Sequence, residues 1–145
     1  AIAAAMSHHA KLLLLDEATS GLDPIVRDDI LDVFNEFTRQ EEHSVLISSH
    51  IVSDLEKICD YVVFIHKGNV ILSEEKDRLL EKYALIAMER AQYDAMPKAG
   101  VRRMLDAHGT VRVLMEREYV PHSIPLERLG LEDMMLMIEK GEEIR

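Results

Sequence analysis

The sequence predicts an α/β fold over its first half, with a mostly parallel sheet and covering helices, followed by a small α+β unit. Three observations carry this reading. Short apolar runs alternate with stretches of helical period between residues 11 and 65, the arrangement of βαβ units. Near Ser73 the character changes, and a charged stretch replaces the strand pattern. Beyond it the chain has its own apolar runs, a turn at His108-Gly109 and a terminal helical pattern, as a second folding unit would.

Taken in order, Ala1-Ile2-Ala3-Ala4-Ala5-Met6 is strong helix former with no initiating Met and no Ser, Thr, Asp or Asn cap in front, so the chain is expected to start inside an element. Residues 11–16 set four leucines between Lys11 and Asp16, which suits a strand buried on both faces of a parallel sheet. Asp23-Pro24 combines an N-cap with Pro at the first helical position. After it, Val26, Ile30, Val33, Phe34 and Phe37 fall on one helical face. A second strand is expected at 44–48, a short helix through Ile51, Leu55 and Ile58, and a third strand at 61–65. His66-Lys67-Gly68-Asn69 then reads as a turn into Val70-Ile71-Leu72.

In the second half, residues 74–82 form a charged helical stretch, 83–88 an apolar run, and 101–116 an alternating segment broken at His108-Gly109. Pro121 and Pro125 punctuate a loop, and 131–138 is a terminal helix ending near Gly141. Seven of the eight methionines lie after Ser73, either as adaptable core filler or as a subunit-contact surface.

The 145 residues, 48% apolar and 30% charged, are enough to bury a core, and no apolar run approaches the roughly 20 residues of a spanning helix. The net charge of −10 divides into −7 for residues 1–73, from five basic and twelve acidic side chains, and −3 for 74–145, from twelve and fifteen. Neither half displays the basic excess that phosphate-backbone binding requires, which argues against nucleic acid as a partner. A single Cys59 excludes an internal disulfide framework and reads as a small buried residue; with no secretory pattern ahead of the first strand, a reducing cytosolic setting is expected. His8, His9, His43, His66, His108 and His122 show no convergent metal spacing and read as surface or turn residues.

The chemistry-bearing candidate is Asp16-Glu17, two carboxylates at the exit of a buried strand, the edge where open α/β sheets bind ligands. Alone, such a pair is as compatible with a helix start or a solvated turn. Its continuation, Asp16-Glu17-Ala18-Thr19-Ser20-Gly21-Leu22-Asp23-Pro24, resembles the Walker B and D-loop sequence of ABC-transporter ATPases. Ser48-Ser49-His50 stands at the end of the next strand, as that family's switch histidine does. The resemblance implies that residues 1–73 are the C-terminal part of a P-loop NTPase domain with a RecA-like parallel sheet. It implies ATP and Mg²⁺ as cofactors, bound with the help of Asp16, Glu17 and His50. Asp16 would hold Mg²⁺ through water, Glu17 would orient or deprotonate the attacking water, and His50 would donate towards the γ-phosphate. Ser20, Gly21, Leu22 and Asp23 would lie at the interface with a second ATPase subunit, in a homodimer or heterodimer. Those roles suit phosphoryl transfer, which needs a metal, a positioned water and donors that absorb developing charge. Asp23 has a competing local use as the cap of the following helix.

A phosphate-cradling loop of the form G-x-x-x-x-G-K-[ST] occurs nowhere in the sequence, nor do the family's glutamine loop and Leu-Ser-Gly-Gly-Gln signature. Residues 1–9 resemble the helix that follows that signature, so the expectation is a C-terminal fragment, inactive alone. The resemblance is close for residues 1–72. Beyond, it is looser and similar to the C-terminal extension of ATPases from bacterial peptide and antibiotic exporters, making 74–145 an accessory α+β domain with a dimerising or regulatory role. Within it, residues 83–145 are expected to fold separately and to self-associate. The implied whole is an ATP-hydrolysing subunit, peripheral on the cytoplasmic side of the membrane, driving a transmembrane permease subunit. Two alternatives stand beside it: a soluble ATPase of the same superfamily acting on ribosomes or DNA, and a fragment serving only as a dimerisation or regulatory module. The stretch 19–24 leans towards the transporters.

Overall fold

The computed structural model describes residues 2–144, and the chain divides into two compact units that meet in sequence between Cys59 and Asp60. Ala1, where the sequence reading begins the first helix, and Arg145, where it ends the second domain, lie outside the described residues.

The first unit runs α1 (Ile2–Met6), β1 (Leu12–Asp16), α2 (Pro24–Thr38), β2 (Ser44–Ser48) and α3 (Val52–Ile58). β1 and β2 are parallel neighbours in register from Leu12↔Ser44 to Asp16↔Ser48, and α2 is the crossover between them. α2 starts where the sequence says it should: Asp23 Oδ1 accepts from the amides of Ile25 and Val26 at 3.1 and 3.2 Å, and Pro24 opens the first turn without an amide to satisfy. Leu13 and Leu15 of β1 pack against Leu31 and Phe34 of α2, with Val45, Ile47 and Ile58 at the margin. Each such buried side chain contributes about 1.5–3 kcal/mol.

Two expectations are corrected here. β1 is covered on one face only: Leu12 and Leu14 on the other are exposed, Leu14 to 69%. The inward stripe of α2 also includes Leu31 in place of Val26 and Val33, both exposed, because the helix turns Ile30, Leu31, Phe34 and Phe37 towards the sheet.

The second unit opens with an antiparallel hairpin, β3 (Tyr61–His66) and β4 (Asn69–Glu75). Its two-residue loop, Lys67-Gly68, has φ of 49° and 78°, the left-handed pair that a tight hairpin turn demands. The third strand of the sequence reading is therefore paired with its own successor, in antiparallel fashion. After α4 (Lys76–Lys82) follow β5 (Tyr83–Glu89), α5 (Arg90–Ala95), β6 (Val101–Ala107), β7 (Thr110–Glu116), α6 (Leu131–Lys140) and the two-residue β8 (Glu142–Glu143). β5 to β8 make one antiparallel sheet in the order β5-β7-β6-β8. The β6–β7 turn is His108-Gly109, with φ of 54° and 90°, as anticipated. α5 and β8 went unanticipated.

The core of this unit gathers Ile86, Met88, Tyr93, Val101, Met104, Val111, Val113 and Met115. Leu131, Met134 and Met137 of α6 are buried as well. Five of the seven late methionines are thus buried, which is the filler role of a flexible thioether. The overall class is mixed α/β with several sheets. Among the described residues no helix is long and apolar enough to cross a membrane.

Candidate nucleotide-hydrolysis site

The C-terminal ends of β1 and β2 lie side by side, Asp16 opposite Ser48, so parallel pairing alone brings the Asp16-Glu17 pair and the Ser48-Ser49-His50 segment together. Ser48 Oγ donates to Asp16 Oδ1 across the pair. The chain then leaves β1 through Glu17, whose φ of 50° lies in the left-handed region. Two bonds hold that conformation: the Glu17 amide donates to Ser48 O at 2.9 Å, and the Ser20 amide donates to Glu17 O at 3.0 Å. Gly21, at φ 75°, carries the loop back towards Leu22 and Asp23.

On the other strand, Ser49 Oγ accepts from the Ile51 amide at 3.0 Å and shapes the turn into α3. His50 stands on that turn, its Nδ1 2.7 Å from Glu17 Oε2. Both side chains face solvent, His50 at 70% and Glu17 at 40% exposure, so the pair sits open at the sheet edge.

Asp16, Glu17 and His50 therefore converge. The 20–23 stretch presents Ser20, Gly21 and Asp23 on the surface while Asp23 caps α2, the local use foreseen for it. Among the described residues no group of three or more His, Cys, Asp or Glu side chains could hold a metal by itself. A single exposed carboxylate fits a hydrated Mg²⁺, which takes one or two protein carboxylates and completes its shell with water and phosphate. None of the other six histidines joins the site; His43 stacks on Phe37, ring centroids 4.3 Å apart. Cys59 is half-buried.

The sequence reading missed Asp54, Thr19 and Arg27. Thr19 Oγ1 donates to Asp54 Oδ2 at 2.8 Å, both side chains being buried, and Arg27 Nε lies 3.8 Å from the same oxygen. The only sequence-level signal was an acid between Val52 and Leu55, and an acid on a short helix ordinarily faces water.

Adjacent carboxylates thus stand at the mouth of a parallel strand pair, one of them bonded to a histidine that follows the neighbouring strand, at the sheet edge where open α/β folds bind ligands. By sequence comparison the chain is a relative of the ATP-binding subunits of ABC transporters. It is 41% identical over 76 residues to the lantibiotic transport ATP-binding protein SrtF of Streptococcus pyogenes, covering 52% of this chain and 33% of that protein. It is 30% identical over 161 aligned positions to the uncharacterized ABC transporter ATP-binding protein YhcH of Bacillus subtilis, covering 99% of this chain and 53% of YhcH. Against the bacitracin transport ATP-binding protein BcrA of Bacillus licheniformis the identity is 36% over 81 residues, 56% of this chain and 26% of BcrA. The chain thus spans between a quarter and about half the length of these relatives. No family model matches it.

Proposed function

We propose that this chain carries the water-positioning and phosphate-sensing half of an ABC-transporter ATPase site, in a subunit that hydrolyses ATP to drive a membrane-spanning permease. The observation that carries the reading is the 2.7 Å contact of Glu17 Oε2 with His50 Nδ1 at the ends of two parallel strands. It gains its meaning from relatives that are ATP-binding proteins of transporters.

In this reading Glu17 spends one carboxylate oxygen on His50 and offers the other to the attacking water, as a general base or an orienting acceptor. A neutral His50 that donates from Nδ1 to Glu17 has an accepting Nε2. Donation to a γ-phosphate oxygen then requires either a proton on both nitrogens or a swing away from Glu17, so the histidine responds to the phosphate's presence. Asp16, held by Ser48, would take Mg²⁺ through water, and the ion would supply neutralisation of the charge that builds up in phosphoryl transfer. Residues 20–23 form the surface offered to a second ATPase subunit.

Residues 1–73 are, on this proposal, the C-terminal part of a RecA-like ATPase domain and 74–145 an accessory domain, the subunit lying on the cytoplasmic face of the membrane. The names of the relatives point to peptide antibiotics as the class of cargo. No glycine-rich phosphate loop occurs in these 145 residues, so the chain alone should bind MgATP too weakly for micromolar calorimetry. The decisive experiment is made on the complete subunit. Glu17→Gln should preserve ATP binding and slow hydrolysis by about two to four orders of magnitude, and His50→Ala should also impair turnover. Unchanged turnover in Glu17→Gln would place the catalytic base elsewhere.

A further inference from the structure

Asp54 is a carboxylate with 2% of its surface exposed, four positions after His50 and on the helix that His50 introduces. A buried charge is costly unless partners surround it. Its partners here are Thr19 of the 17–23 loop and Arg27 of the first turn of α2. Oδ2 accepts the hydroxyl of Thr19, itself fully buried, at 2.8 Å. The guanidinium of Arg27 faces the same oxygen, while its Nη2 donates to the carbonyl of Leu22 at 3.3 Å. One carboxylate oxygen therefore grips the 17–23 loop at Thr19 directly and at Leu22 through Arg27.

That loop needs gripping. Glu17 sits at φ 50°, a conformation that costs a residue with a side chain about 1–2 kcal/mol and persists only where its surroundings over-determine it. Arg27 Nε is buried without a hydrogen bond at 3.8 Å from Asp54, so an approach of about 1 Å would turn the contact into a charge-assisted bond.

We propose that Asp54 is a positioning residue: through Thr19 and Arg27 it ties the 17–23 loop to the helix behind His50, keeping Glu17 within reach of His50 and holding the Ser20–Leu22 surface in one shape. Its kinetic consequence rests on the ATPase reading; its structural consequence does not.

The test has two arms. In this chain, amide hydrogen exchange is followed at Glu17, Ser20 and Leu22, with Leu31 and Phe34 of α2 as internal reference. Thr19→Val, nearly isosteric, and Asp54→Ala should each accelerate the three loop amides about tenfold relative to the reference, the scale set by one lost hydrogen bond to a charged group. Thr19→Ser, which keeps the hydroxyl, should exchange as the parent does. If Asp54→Ala unfolds, Thr19→Val alone decides. Loop amides that do not change, or that accelerate only in step with Leu31 and Phe34, overturn the proposal. In the complete subunit, Thr19→Val should lower kcat about tenfold with KM for ATP unchanged, and Thr19→Ser should restore it. A change confined to KM would contradict positioning of Glu17. A parent subunit with no ATPase activity would sink the ATPase reading while leaving the exchange result standing.

Discussion

Glu17 adopts a backbone conformation that most side chains avoid, and the strain separates what the residue does for stability from what it does for chemistry. Glycine accepts φ near 50° without steric penalty, whereas alanine suffers the same crowding as glutamate. Glu17→Gly should therefore be more stable than Glu17→Ala by about 1 kcal/mol in denaturant unfolding, although both lack the carboxylate. Equal stabilities would show that the loop relaxes around the residue. Asp16, Glu17 and His50 could be picked from the sequence through the resemblance of 16–24 and 48–50 to the Walker B and switch-histidine motifs, and parallel pairing sets the two strand exits side by side. Asp23 was legible from propensity alone. The Thr19–Asp54 bond was not: it joins positions 35 residues apart, and nothing local distinguishes a buried acid from a solvated one.

Among the elements, α2 shows how far a periodic pattern reaches. Its start was legible, because Asp23-Pro24 is a start signal that depends on backbone chemistry and not on packing. Its inward face was legible only to within one turn, because Val33 and Phe34 are neighbours on the helix surface and the sheet beneath decides between them. Phe34→Ala should cost about 3–5 kcal/mol, whereas Val33→Ala should stay within roughly 0.5 kcal/mol, as read from urea unfolding of the two variants. Comparable losses would mean that the outer face of α2 is also packed. The two hairpin turns were readable for the same reason as the helix start: Lys67-Gly68 and His108-Gly109 each supply the positive φ angles of a two-residue loop. The register shifts between Phe64 and Ile65 and between Val101 and Arg103 left no mark in the sequence, since a bulge answers to the twist of its partner strand.

At the scale of the molecule, the strands of the two small sheets carry apolar side chains outward: Leu12, Leu14 and Leu46 on one, Tyr61, Val63, Ile65 and Val70 on the other. Neighbouring exposed side chains of this kind favour association. One core cluster of the sheet of β5 to β8 is drawn from residues 86–144, and Ala84 and Leu85 of β5 are buried as well. Residues 83–145, expressed alone, should fold by circular dichroism and form a dimer or larger species in light scattering across a concentration series. A folded monomer at every concentration would remove self-association from this half of the chain and leave the exposed strands of 12–70 to account for any that the whole chain shows. The sulfur atoms of the second core offer a clock for its motions. Met115, Met134 and Met137 are sealed from solvent while Met135, on the same helix as the last two, is half-open. Dilute peroxide should convert Met135 to its sulfoxide first, and mass spectrometry should find Met137 modified only as often as the packing around α6 parts, so that the lag between neighbouring thioethers measures how seldom that core breathes.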